Sequence, residues 1–541
     1  MPVPRRPMPR LVLAIVALAL ASGAAPEAAA QEAPFEVEIA ERADLTRAPA
    51  LHSAAWAEHG GRWLFVTGRG PDASGEGGGM HEFSAPAFPR RFANGSVHVY
   101  EPETDARWSA SLDALPEATA EALRVANAQF LARGDSLIVV GGYGWREEAG
   151  DFVTFGTMTV LDVPGTMAAV VDETDLAPHV SQPVAWEDAL AVTGGHLIET
   201  VDGALAIVGG NRFDGEYGGG QFTQTYTQSV RVLDRAARGL DAEVTDPQLH
   251  RRDGNVAPVV LSHGEVAHGV FGGVFNPRDQ TAYTRPFVIE KGTELLLQDD
   301  FEQHVGLYTA PALGLYSAAS GATHTAFFGG ISGSTWDDAA GEWRRAGNPP
   351  FFPFVDDVGV VSYNAGEWSE RRLDVRMPGL LGANAAFLLD PALPLVADGL
   401  VDFDALPGGA TRAGWIVGGI EAGAPSFGQT WASRRVLEVT VVKTVSPANE
   451  TGAAAGFALA APAPNPARGQ ARLALRVDRP QALRAEVLDV TGRRVALLHD
   501  GPLAEGEHAL AWDAAGAAPG VYLVRVGGDA GRAVRRVTLA R

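Results

Sequence analysis

The chain has 541 residues, with 46% hydrophobic and 20% charged residues, 64 glycines and 35 prolines, a composition that excludes a disordered chain or a coiled coil and favours many short strands and turns. No cysteine is present, which excludes disulfides, thiolate metal sites, a cysteine nucleophile and a bacterial lipoprotein anchor. The net charge of −22 repels a phosphate backbone and sets nucleic-acid binding aside. At the start, Arg5, Arg6 and Arg10 flank an uninterrupted apolar run from residue 11 to 20, and Ala28-Ala29-Ala30 follows. Ten helical residues span about 15 Å, half the hydrocarbon core, so residues 1–30 read as a signal peptide cleaved after Ala30 rather than as a membrane helix. No later segment is apolar enough to span, and the mature chain is expected to be an exported monomer without a transmembrane segment.

Between residues 31 and 445 an apolar run ending in a double glycine recurs. The copies are Leu137-Ile138-Val139-Val140-Gly141-Gly142, Leu205-Ala206-Ile207-Val208-Gly209-Gly210, Val270-Phe271-Gly272-Gly273, Ala326-Phe327-Phe328-Gly329-Gly330 and Trp415-Ile416-Val417-Gly418-Gly419, with Leu64-Phe65-Val66-Thr67-Gly68 as a degenerate first. First glycines fall 57 to 89 residues apart, room for one four-stranded unit with loops. A small-residue strand precedes each run, as in Asn127-Ala128-Gln129-Phe130-Leu131, and a long loop follows. A third strand then ends in an acidic or aromatic turn, with Trp108 and Trp368 after two of these turns. This order resembles the kelch family of β-propellers, whose blades carry a double glycine after the second strand and a Tyr and a Trp around the third and fourth. The resemblance implies six blades over residues 31–445; two β-sandwiches with unrelated Gly-rich hairpins are the alternative. The alternating strand Phe35-Glu36-Val37-Glu38-Ile39 stands alone and is expected to complete the sixth blade beside residues 436–442, leaving no open edge.

Residues 446–462 read as a linker. From 463 to 541, twelve arginines face eight acidic residues. This stretch contains Pro464-Asn465-Pro466, then Val490-Thr491-Gly492-Arg493-Arg494, Ala511-Trp512-Asp513, Pro519-Gly520-Val521-Tyr522 and Arg535-Arg536-Val537. It resembles the type A C-terminal sorting domain of type IX secretion cargo, with a generic immunoglobulin-like adhesion domain as the alternative. Alternating strands, a Thr-Gly turn, a core Trp and a Pro-Gly turn describe a small β-sandwich. The fold class expected overall is all-β, a six-bladed kelch-like β-propeller plus a small C-terminal immunoglobulin-like β-sandwich. The resemblance implies the type IX secretion machinery as a partner and passage through the periplasm. The protein would then be secreted or held on the outer surface of a Gram-negative bacterium, its sorting domain removed or replaced by an anchor.

No zinc helix, phosphate-binding loop, nucleophile elbow or EF-hand loop is present. The copper–radical chemistry of some kelch propellers needs a Cys–Tyr crosslink, and the sialidase-like box Ser362-Tyr363-Asn364-Ala365-Gly366-Glu367-Trp368 is one residue short. No catalytic residue, metal or cofactor is assigned. His196, His268 and His324 read as core histidines. Asp299-Asp300, Asp337-Asp338 and Asp356-Asp357 read as solvated turns rather than calcium ligands. The long loops after each double glycine share one face and carry Arg and aromatic residues, the composition of binding hot spots. Tyr143, Trp145, Arg212, Phe213, Arg278, Trp336 and Trp431 are the candidate ligand-binding residues; packing of the loops against each other is the other use of such side chains. The function expected is a binding protein holding a protein or glycan on the loop face. A secreted carbohydrate hydrolase or lyase at the channel mouth is the alternative, and an adhesive structural component a third.

Overall fold

The computed structural model describes residues 34–540 except 74, 76, 81–86, 220, 298–299, 347–351, 427, 444–456, 461, 463–466, 490–492, 519 and 529–530. The expected signal peptide, Pro464, Asn465, Pro466, Gly492 and the Thr-Gly turn lie outside the described residues. The chain is all-β, 53% strand and 7% helix, in many small sheets with a β-propeller-like arrangement. Six sheets share one plan. In the first, Ala55–His59, Arg62–Val66, Ser96–Glu101 and Ala106–Ser111 pair antiparallel in chain order. The other five open with Gln129–Arg133, His196–Glu199, Asn255–Val260, Ala312–Ser317 and Ala386–Leu389. The sixth sheet takes its outer strand from the other end of the chain. Phe35–Glu41 runs antiparallel to Val436–Lys443, with Phe35 opposite Lys443 and Glu41 opposite Leu437.

The glycine pairs link each sheet to the next. Gly141 and Gly142 have φ of 66° and 93°, a turn that glycine takes without the Cβ clash of other residues. Their second amide then leaves its own sheet. Gly142 donates to the Val192 carbonyl, Gly210 to Arg251, Gly273 to Leu307 and Gly330 to Leu381, each at 2.9 Å. A Cβ on Gly141, Gly329 or Gly418 would strike the carbonyl of Val192, Leu381 or Leu51. In the degenerate first copy it is Gly68 that donates across, to Val125 at 2.7 Å. Gly68 therefore holds the second place, and Thr67, buried with φ of 61°, stands where the other copies have their first glycine.

Apolar clusters fill the gap between each sheet and the next, and between the sixth and the first. In the last of these, Trp63 of the first sheet lies 5.3 Å from Trp415 of the sixth. Trp368 of the fifth sheet is edge-on to Phe271 of the fourth at 5.5 Å. One sheet departs from the plan. Leu395–Ala397 and Leu400–Asp402, from a connection within the sixth sheet, extend the fifth, with Leu400–Asp402 parallel to its opening strand.

The C-terminal residues form a sheet of Phe457–Leu459, Gln470–Val477 and Gly506–Asp513 and another of Arg494–Leu503, Gln481–Asp489, Gly520–Gly528 and Gly531–Leu539. They share a core in which Trp512 lies edge-on to Tyr522 at 4.8 Å. The Tyr522 hydroxyl donates to Ala518 O at 2.7 Å. Arg493 is exposed, Arg535 is partly buried, and Arg536 pairs in register with Leu523. Phe457–Leu459 corrects the expected linker: Phe457 and Leu459 are buried in this core, and a three-residue strand among alanines and glycines shows too little alternation to stand out. No helix among the described residues is long and apolar enough to cross a membrane.

Candidate functional site

Four of the loops between second and third strands carry two-stranded ribbons, which begin at Tyr143, Asn211, Ser334 and Ile420. Tyr143 and Phe213 are buried where three loops meet, in one cluster with Trp145, Phe88, Phe152 and Tyr217. Tyr143 stacks on Phe152 at 5.4 Å, and its hydroxyl donates to Gly215 O at 2.7 Å and accepts from the Tyr217 amide at 3.1 Å. Burial pushes its pKa up. Trp145 is covered by the Arg90 guanidinium at 4.3 Å. Arg212 is held by Asp214 at 2.7 Å and Asp188 at 3.3 Å. Trp336 stands against Trp343 at 5.2 Å, with the Arg372 guanidinium over its ring. The first four tie loops together, and Trp336 packs within its own ribbon and against a strand of its own sheet. Arg278 and Trp431, in other loops, face solvent: Arg278 is exposed, and Trp431 walls a cleft of about 380 Å³ with Glu421, Gln429 and Arg434.

The histidines are structural. His324 is buried with Nδ1 2.7 Å from Ser362 Oγ, and burial, then the Arg371 charge, lowers its pKa to about 4. Burial lowers His196 and His268 to about 4 as well. Two of the three aspartate pairs are occupied by arginine. Asp356 is 2.9 Å from Arg376, Asp357 2.8 Å from Arg372, Asp338 2.8 Å from Arg376 and Asp337 2.9 Å from Arg344; Asp299 lies outside the described residues.

The connections that lead into the opening strands, which the sequence reading passed over, converge. Ser53, Asn127, Gly194, Asp253 and Asn384 sit two positions before five of these strands, with φ between 52° and 67°. The Ser53 amide donates to Asn384 O at 3.1 Å and the Asn384 amide to Thr309 O at 2.9 Å, while Asp253 donates to Gly194 O at 2.8 Å and Gly194 to Asn127 O at 3.0 Å. Thr309 Oγ1 donates to Gly254 O at 3.0 Å and joins the two arcs. One run of hydrogen bonds thus passes through the approaches of all six sheets.

Asp253 is the charged member of this set. It is 3% exposed. Asn127 Nδ2 lies 3.3 Å from its Oδ1, Arg252 is 3.6 Å away, and the Tyr308 hydroxyl also hydrogen-bonds it. Burial pushes the carboxyl pKa up, against the pull of Arg252 and Tyr308. Burial opposes the Arg252 charge too, the Asp253 carboxylate favours it, and on balance its pKa is raised. Phe275 packs 4.7 Å from this guanidinium, whose side chain keeps 15% of its surface exposed. Neighbouring Arg251 is internal: it donates to Gly272 O at 2.6 Å and lies over Tyr283, and burial brings its pKa down to about 9. The arrangement sets the Arg252 side chain, 15% exposed, among aromatic faces and hydroxyls, a combination that orients polar ligands. Its sequence signal was the polar or glycine residue recurring ahead of each opening strand, in step with the double glycines.

No family model matches the chain, and no curated protein does. Among solved structures it is similar to a fungal alcohol oxidase of the AA5 family in complex with copper, at 11% identity over 93% of this chain and 99% of that one, TM-score 0.35. YjhT matches at 14% identity over 72% of this chain and 97% of that one, TM-score 0.38. CoXyl43, a GH43 β-xylosidase/α-arabinofuranosidase from a compost metagenome in complex with xylotriose, matches at 9% identity over 74% and 95%, TM-score 0.31. Similarity this low leaves function to the chain's own residues.

Proposed function

We propose that the chain is a six-bladed kelch-like propeller acting as a binding protein, which holds a glycan or a protein on its loop face above Arg252 and Asp253. The repeated cross-sheet bond of the second glycine, returning from Gly419 to Leu51, supports six blades in a closed ring. The observation that carries the function is the partly exposed Arg252, charge-balanced by a buried carboxylate and bordered by Tyr217, Tyr226, Tyr308 and Phe275. Glycoside hydrolysis by paired carboxylates needs two, about 5 to 9.5 Å apart. Asp253 is the carboxylate paired with Arg252, at 3.6 Å. The test is a glycan array run beside a panel of chromogenic glycosides. Binding that weakens about tenfold in Tyr308→Phe or Tyr226→Phe, roughly 1.4 kcal/mol, without turnover supports the proposal. Turnover of any glycoside, or binding indifferent to both substitutions, overturns it.

The same proposal includes an export route: the signal peptide to the periplasm, then the type IX machinery reading residues 457–541 and releasing or displaying the protein outside the cell. The separate core of these residues and their excess of arginine support it.

A further inference from the structure

The fourth sheet ends, on the side away from its long loop, in two tight turns. Residues 261–265 join its first two strands and residues 291–293 its last two. His263 and Glu265 come from the first turn, and Glu290 closes the strand before the second. His263 Nε2 lies 3.4 Å from Glu265 Oε2 and 3.6 Å from Glu290 Oε1, and the three ligand atoms all fall within 4.8 Å of one another. Neither histidine contact is a hydrogen bond, since N–H···O bonds run about 2.7–3.2 Å. Ligand atoms about 2.0–2.2 Å from a tetrahedral zinc ion are about 3.4 Å apart, close to the two distances from His263 Nε2.

We infer that His263, Glu265 and Glu290 form a binding site for a divalent transition-metal ion of the zinc class. Glu290 is buried, so a carboxylate withdrawn from water is set beside a second one, and a cation must offset their repulsion. Lys291 Nζ, 3.4 Å from Glu290 Oε1, supplies part of that charge. Its side chain is 61% exposed, so an incoming metal ion competes with a solvated cation rather than a buried one. One imidazole with two carboxylates suits zinc better than calcium, which takes six or more oxygens. In a chain without cysteine, imidazole and carboxylate are the ligands available to zinc. The ion ties the two turns of one sheet together and leaves a fourth position for water.

The experiment is calorimetric titration of zinc chloride into the full chain freed of metal by chelation, with melting curves alongside. The expected result is one site whose filling raises Tm. His263→Ala and Glu265→Gln should each weaken it by more than the roughly tenfold cost of losing an outer partner of a metal ligand, and abolish the zinc-dependent rise. Lys291→Met should tighten binding by removing a competing cation. The metal-free melting of all three variants checks that they fold. An unchanged zinc affinity in His263→Ala, no binding by the parent chain, or weaker binding in Lys291→Met overturns the inference.

Discussion

The Gly419 amide donates to the Leu51 carbonyl at 2.7 Å, joining the last double glycine to the segment that leads into the first sheet. The same bond recurs at five earlier positions, so the motif visible along the chain is the device that fastens each sheet to its successor. Gly418, beside it, has φ of 71°, and a Cβ there would collide with the Leu51 carbonyl. Gly418→Ala should therefore lose about 2–3 kcal/mol, from a positive φ and a displaced hydrogen bond. Gly408→Ala, with nothing within 4 Å of the added carbon, should stay within about 0.5 kcal/mol of the parent. Urea unfolding of the two variants checks this, and equal losses would contradict it.

Phe35 is fully buried, 5.7 Å from Phe403 and 5.8 Å from His324. Phe35→Ala should cost about 3–5 kcal/mol. Removing residues 34–41 altogether bares the edge of Val436–Lys443 and should cause association, visible by light scattering. A truncated chain that stays monomeric and melts like its parent would refute ring closure.

Stability should fall with acid in a defined window. Burial holds His52 at about 3 and His324 at about 4, against about 6.5 when unfolded. The unfolded chain takes up protons first, so this stability is complete above about pH 6.5 and is lost as pH falls toward 4. Each histidine should contribute about 2 kcal/mol of the loss between pH 7 and pH 5. His324→Gln should shrink the difference between those two pH values by that amount; an unchanged difference would show that the residue does not titrate as described.

Among the loop residues, stability and affinity should separate. Tyr143→Phe removes a hydroxyl with two buried partners and should lower stability by about 1–3 kcal/mol. Trp431→Ala and Arg278→Ala should leave melting unchanged and, once a ligand is identified, are the two loop candidates whose loss should weaken binding alongside Tyr226 and Tyr308. Glu367, exposed at the first position of the last strand of the fifth sheet, is the comparator. Asp105 would not serve, because it accepts from the Thr46 and Arg47 amides and the Tyr100 hydroxyl. Melting of Tyr143→Phe identical to the parent would count against this division.

A chain ending at residue 456 should keep the unfolding transition of the six sheets but remain in the periplasm of a host with the type IX machinery. Its appearance in the medium or on the cell surface would remove the sorting assignment.

The repeat was legible because positive φ at two successive residues strongly favours glycine, so Gly141-Gly142 and its copies had to appear in the chain. Thr67 made the first copy degenerate without hiding it, adopting φ of 61° as a buried threonine. The residues ahead of the opening strands were harder to find: Asn127, Asp253 and Asn384 are single polar residues in short connections, and only hydrogen bonds between neighbouring connections bring them together. Tyr143 and Phe213 showed their aromatic character but not its direction, since a side chain that packs a loop and one that meets a ligand have the same composition. His263 and Glu290 gave no signal at all, because two turns of one sheet must form before they meet.

The pairing of Phe35–Glu41 with Val436–Lys443 also sets a clock on synthesis. The first strand to be made waits for a partner translated about 400 residues later, roughly 20–80 s at 5–20 residues per second. During that interval an alternating strand with Phe35 and Val37 on one face has no sheet to join. The five sheets between can form as their own strands are completed, but the outer strand of the sixth must stay unpaired until the last one is made. Pairing of the chain's two ends is therefore the last step of assembly, and the one most open to competing edge-to-edge association.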